Sequence, residues 1–136
     1  MQEIRIGFGQ INPVVGDFEH NAEQVLSQLA EAHGKVDLVV FGELALCGYP
    51  LGDLSYRSDV IEKTQQALDR LVAESKRFPG LTVVLGHVSA ASTKDSKQSA
   101  FAIAHNSATV FENGQVIGRY DKQRLPTYDV FDDWRN

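Results

Sequence analysis

The sequence holds a single cysteine, Cys47, in 136 residues, so no disulfide can close within the chain. It has no unbroken apolar run of the roughly 18 residues that a membrane helix needs. The start, Met1-Gln2-Glu3-Ile4-Arg5, lacks the charged-then-apolar layout of a signal peptide. Positive charge is scarce: 13 Lys and Arg against 18 Asp and Glu leave a formal charge of −5. Nucleic acid and membrane are therefore not expected as partners, and a small-molecule role in the cytoplasm is. The four histidines, His20, His33, His87 and His105, show no ligand spacing with one another or with Cys47, so no metal site is expected. No glycine leads into a Gly-Lys-Ser/Thr ending, and Gly7-Phe8-Gly9 lacks the third glycine of a dinucleotide loop, so nothing here is built to cradle ATP.

What is present is the balance of a soluble globular fold, 43% hydrophobic and 23% charged residues, at a length that suits one domain. A domain of that size buries roughly two-thirds of its unfolded surface. Residues Ile4 to Ile11 alternate apolar with small or polar positions and predict a first strand, ended by the turn-prone Asn12-Pro13. Gly16-Asp17 offers an N-cap, and Ala22, Val25, Leu26, Leu29, Ala30 and His33 fall on one helical face before Gly34. Val36 to Phe41 is too short for a helix and too continuously apolar for an edge, which predicts a central strand. A second helix, capped by Ser58 or Ser55, buries Val60, Ile61, Thr64, Ala67, Leu68, Leu71 and Val72, and Phe78-Pro79-Gly80 ends it. Leu81 to Val88 predicts a third strand, and Ser89 to Ser99 a mobile loop. Residues 100–111 and 115–120 flank Asn113-Gly114, the strongest short-range signal of a hairpin. The tail from Tyr120 to Asn136 has no clear period and reads as a binding loop or surface segment. The order predicts an α/β layered fold with a mixed sheet.

Two residues stand where chemistry belongs. Glu43 falls at the C-terminal end of the central strand, where open α/β sheets bind ligands, and Lys122 follows the hairpin in the same way. The plain alternatives are a solvated carboxylate and a surface lysine. Taken together they suit amide hydrolysis through a thioester, which needs a base for the nucleophile's proton and a cation for the tetrahedral oxyanion. Cys47 is the only thiol, four residues beyond the base. A small, partly buried loop residue is the better reading of it, because free cysteine is among the most buried residue types.

The stretches Gln10 to Asp17, Glu43 to Pro50, Asn106-Ser107-Ala108 and Gly118 to Tyr128 resemble, in that order, the nitrilase (carbon–nitrogen hydrolase) superfamily. Asn12-Pro13 with Gly16-Asp17, and Lys122 with Leu125-Pro126 and Tyr128, are most similar to the branch that forms the amino-terminal glutaminase domain of glutamine-dependent NAD synthetases. The resemblance implies an αββα sandwich of which residues 1–136 form the N-terminal part, with a Glu-Lys-Cys triad. In it Glu43 matches the general base, Lys122 the oxyanion stabiliser, and Tyr49 and Phe131 help line a glutamine pocket. The nucleophilic cysteine of the family sits on a later strand, and Cys47 matches a loop position that is not catalytic.

The same resemblance implies glutamine as substrate, with ammonia passed to a synthetase domain that uses ATP and Mg to amidate deamido-NAD. It implies no cofactor for these residues themselves, homo-oligomers for the complete enzyme, and no glutaminase activity for the 136 residues alone. One departure is Gly42, where the family commonly has proline; glycine leaves φ unrestricted before Glu43. Two other readings are a stand-alone nitrilase-type amidase or carbamoylase, and a non-catalytic truncated piece whose uncovered sheet favours association.

Overall fold

The alternation of short apolar runs with amphipathic segments resolves, in the computed structural model, into one mixed sheet with two helices. It describes residues 3–91 and 104–124 and the backbone of residues 127–128 and 131–132. The elements are β1 (Ile6–Gly9), α1 (Phe18–Ala32), β2 (Leu38–Phe41), α2 (Ser58–Glu74), β3 (Thr82–Ala90), β4 (Ala104–Glu112) and β5 (Gln115–Asp121). Two further two-residue strands, β6 (Thr127–Tyr128) and β7 (Phe131–Asp132), pair antiparallel within the tail. The main sheet runs β1-β2-β3-β4-β5, parallel from β1 to β3 and antiparallel from β3 to β5. This is the expected α/β fold with a mixed sheet. The predicted loop from Ser89 begins later, because β3 continues through Ala90; residues 92–103 lie outside the described residues.

Asp17 caps α1, its carboxylate accepting from His20 N at 3.1 Å. The buried stripe is Asn21, Ala22, Val25, Leu26 and Leu29, whereas Ala30 is exposed. Counting apolar positions alone put the stripe one step too far round the helix, because the loops at its N-terminus pull Asn21 inward. The predicted serine cap of α2 is also corrected. The N-cap is Arg57 without a side-chain bond, and Ser55 instead donates to Gly52 O within a short 3₁₀ turn. The α2 stripe of Val60, Ile61, Thr64, Leu68 and Leu71 is buried as expected, with Ala67 and Val72 partly so. Arg70 of α2 forms ion pairs with Glu19 and Glu23 of α1, joining the two helices across their outer rims.

Two successive parallel crossovers of the same hand place both helices on one face of the sheet. There Val25, Leu29, Leu68 and Leu71 pack with Val39, Phe41, Val83, Leu85 and Phe111 in a single core. Each such side chain contributes about 1.5–3 kcal/mol by leaving water. The strand period of two sends alternate residues to the other face, which no helix among the described residues covers. Phe8 on that face is 83% exposed and Ile6 54%. The Asn113-Gly114 hairpin forms with φ of 47° and 80°, the two positive values its tight turn demands. Gly114 N donates to Ser75 Oγ at 2.8 Å, which fastens the hairpin to the end of α2.

Candidate active site

Glu43 opens a tight turn, residues 43–47, immediately past β2. Leu44 holds φ at +51°, a left-handed conformation that costs an ordinary side chain about 1–2 kcal/mol. The turn tolerates it because Cys47 N and Gly48 N both donate to Leu44 O, at 3.0 and 2.8 Å, and Leu46 N donates to Gly86 O at 3.1 Å. Gly86 on β3 is what lets the turn lie so close. A Cβ there would stand 2.5 Å from Gly42 O and 2.8 Å from Leu44 N, contacts backbone atoms cannot relieve. Gly42 itself has no positive φ and open space around its Cβ direction, so the position accepts a side chain.

The turn also sorts its residues between the two faces. Cys47 points into the helix side and is 0% exposed. Its sulfur accepts from Val88 N at 3.3 Å and lies 3.6 Å from Thr64 Oγ1. Thr64 gives its own proton to Val60 O at 2.8 Å, so the thiol is the donor toward Thr64. Burial pushes the Cys47 thiol up from its ordinary range, against smaller opposing effects of Val88 and Thr64. A protonated, enclosed thiol is a poor nucleophile. Asn21 clamps the neighbouring loops: its amide accepts from Val14 N and donates to Val14 O, both at 2.8 Å, and donates to Leu46 O at 3.1 Å. Gly16 N to Cys47 O at 2.9 Å completes the junction. Residues 10–17 and 43–50, separate motifs in the sequence, are thus one bonded unit.

Glu43 faces the other way. Lys122, just past β5, donates from Nζ to Glu43 Oε1 at 2.6 Å, across 79 residues of sequence. Asn106 of β4 donates from Nδ2 to the same oxygen. The side chains of Glu43 and Lys122 are 46% and 30% exposed. At that exposure an ion pair contributes roughly 0–1 kcal/mol, too little for stability to explain a strained turn and a glycine seat beneath it. Beside Glu43 lies a cleft of about 230 Å³ lined by Gly9, Gln10, Ile11, Pro13, Gly42 and Ala45. The sequence brought Glu43 and Lys122 forward as a pair, and the fold brings them into contact. Tyr49 is half-buried against the hydrophobic core and, among the described residues, is not one that lines this cleft. Phe131 lies on β7, and its side chain falls outside the described residues.

Two polar clusters back the site on the helix-covered face. Ser107 donates to Asp121 at 2.5 Å and therefore accepts from Ser89, 2.7 Å away, while Arg119 donates to Asp121 at 2.7 Å. The Arg119 guanidinium holds the Asp121 carboxyl below its usual range, with Ser107 adding to the effect. His87 is buried, with Nδ1 donating to Val88 O at 3.0 Å and Nε2 accepting from Thr109 Oγ1 at 2.7 Å. Asn106 and Asn21 are the residues the sequence reading left without a role. Asn106 lies within Asn106-Ser107-Ala108, and Asn21 within an otherwise apolar helical stripe, which is the one local signal that could have found it.

The carbon-nitrogen hydrolase family profile matches residues 5–135. A glutamine-dependent NAD(+) synthetase of Thermotoga maritima is 37% identical over 99% of this chain, which spans 22% of that protein. The structure of a glutamine-dependent NAD+ synthetase from Acinetobacter baumannii superposes with a TM-score of 0.79 at 30% identity, over 98% of this chain and 23% of that one. An amidase from Nesterenkonia sp. shares the fold, with a TM-score of 0.69 at 16% identity over 94% of this chain and 45% of its own. The chain thus spans about a fifth of the length of the synthetases it matches.

Proposed function

The chain belongs to the carbon–nitrogen hydrolase family, and on that footing we propose that it is the amino-terminal part of the glutaminase domain of a glutamine-dependent NAD synthetase. The observation that carries this is the Glu43–Lys122 contact at the C-terminal end of the parallel strands. A carboxylate and an ammonium held 2.6 Å apart supply a proton acceptor and an oxyanion partner within reach of one substrate carbonyl. The relatives at 30–37% identity support glutamine as the amide, since both are glutamine-dependent enzymes. The amidase likeness supports the fold alone.

In this reading Glu43 takes the proton of a cysteine thiol, the thiolate attacks the glutamine amide carbon, and Lys122 offsets the oxyanion. Glu43 then returns the proton to the departing ammonia and later activates the water that cleaves the thioester. The enclosure of Cys47 supports a nucleophile supplied from outside these 136 residues. Tyr49 and Phe131 are proposed to help bind glutamine. Among the described residues no three His, Cys, Asp or Glu side chains could hold a metal ion. ATP, Mg and deamido-NAD are proposed, from the likeness to glutamine-dependent NAD synthetases, to be used by a synthetase domain, and no step here runs through them.

The test is glutamine hydrolysis by the natural gene product that carries this chain. Glu43→Gln should lower kcat by about 10²–10⁴-fold, and Cys47→Ala should leave it within a small factor of the parent. Turnover that survives Glu43→Gln but disappears with Cys47→Ala would reverse the assignment.

A further inference from the structure

We propose that Asn106 is a positioning residue for Glu43: its side-chain amide and the Lys122 ammonium together hold one carboxylate oxygen, leaving the other presented for proton transfer. This rests on Glu43 being the base. Asn106 lies on β4 in register with Val88 of β3, and its Nδ2 reaches Glu43 Oε1 across 63 residues of sequence. Its backbone carbonyl accepts from Lys122 N at 2.8 Å. One residue therefore sets both the base, through its side chain, and the start of the segment that carries the cation, through its main chain.

The chemistry of the three groups divides the two carboxylate oxygens. Lys122 Nζ and Asn106 Nδ2 both donate to Oε1, and among the described residues no donor reaches Oε2. An ionised carboxylate only accepts, so the amide must turn its NH₂ toward it. An oxygen that already accepts two hydrogen bonds is a weak proton acceptor, and its free neighbour is the basic one. Lysine alone would act as a compact charge on a flexible stem, about which the carboxylate can turn. A second donor on a strand, approaching from a different residue, limits that rotation. An amide suits the task because it carries no charge and exchanges no proton with the base. The strand ends that hold Asn106 and Lys122 are themselves fixed, because the adjacent Ser107 and Asp121 are bonded to each other and to Ser89 and Arg119 on the opposite face.

The experiment is a double-mutant cycle on glutamine hydrolysis by the natural gene product, with Asn106→Leu, Glu43→Gln and the pair. Asn106→Leu should lower kcat on the order of a hundredfold, with KM little changed and the thermal unfolding transition still cooperative. In the Glu43→Gln background the same substitution should cost almost nothing further, because there is no carboxylate left to aim. An equal loss in both backgrounds, a loss confined to KM, or no loss would overturn the proposal. Should Asn106→Leu fail to fold, Asn106→Asp carries the same test, since it keeps the size and replaces the donor by an acceptor. Full turnover in Glu43→Gln itself would instead sink the reading of Glu43 as the base, separately from the role of Asn106.

Discussion

The two faces of the sheet are built by opposite rules, and residues four apart in one turn show it. On the helix-covered face Cys47 is sealed, its thiol bonded to Thr64 and Val88, and it shares one buried core with Phe111 and Leu85. On the other face Glu43 is half-exposed and bonded to Asn106 of β4 and Lys122 just past β5, beside Phe8 and Ile6 that face outward. The first face stores stability and the second holds the pair proposed to be reactive. What divides them is the direction in which the turn after β2 sends each side chain, not the chemical type of the residue. The only thiol of the sequence lands on the packed side and the carboxylate on the open side.

The comparison breaks most visibly at Phe111, which is fully buried between α2 and the sheet. Phe111→Ala should cost about 3–5 kcal/mol in denaturant unfolding. Next comes Gly86, the seat of the Glu43 turn. Gly86→Ala should cost on the order of 1–3 kcal/mol, as overpacking does, and should also lower turnover in the natural gene product, joining the two faces through one Cβ. A destabilised protein with unchanged kcat would show that the seat does not aim Glu43.

A smaller effect belongs to His87. Burial is the main reason its imidazole titrates below the ordinary histidine value, with Arg119 adding to this and Val88 and Asp121 opposing it. Above about pH 6.5 the folded and unfolded chains both hold it neutral, and it contributes no slope. As pH falls from there, the unfolded chain takes up a proton that the folded chain resists, so stability declines until the folded-state value is passed. His87→Gln should remove that part of the acid-side slope in a urea midpoint series. The smallest effect is expected on the open face of the isolated chain, where Phe8→Ser should change stability within about 0.5 kcal/mol. A cost near that of Phe111→Ala would show the two faces to be equally packed.

Much of this was legible in the residues. The stripe of α2, the Asn113-Gly114 hairpin and the central strand, read as Val36 to Phe41 and formed by Leu38–Phe41, follow from the helical period, turn chemistry and a short continuous apolar run, each confined to a few neighbours. The errors arose where a distant partner overrode a local pattern. Asn21 replaced Ala30 in the buried stripe because two loops needed an amide to join them. Arg57 rather than a serine precedes α2 because Ser55 is bonded within its own turn. Gly86 gave no sign of its role, since a close approach between backbones exists only when the turn and the strand meet.

By itself the sequence determined the elements and their order, and it singled out Glu43 and Lys122 as residue types at strand ends. Propensity, capping and hydrophobic spacing act over a few residues and can be read locally. Only the tertiary structure decided that Glu43 meets Lys122 and Asn106, because the pairings of β2 with β3, β3 with β4 and β4 with β5 together span the distance that separates them in the chain. It also decided the fate of Cys47. Whether a thiol is a reagent or a packing group depends on what surrounds it, and here α2 and β3 close over it before any substrate could.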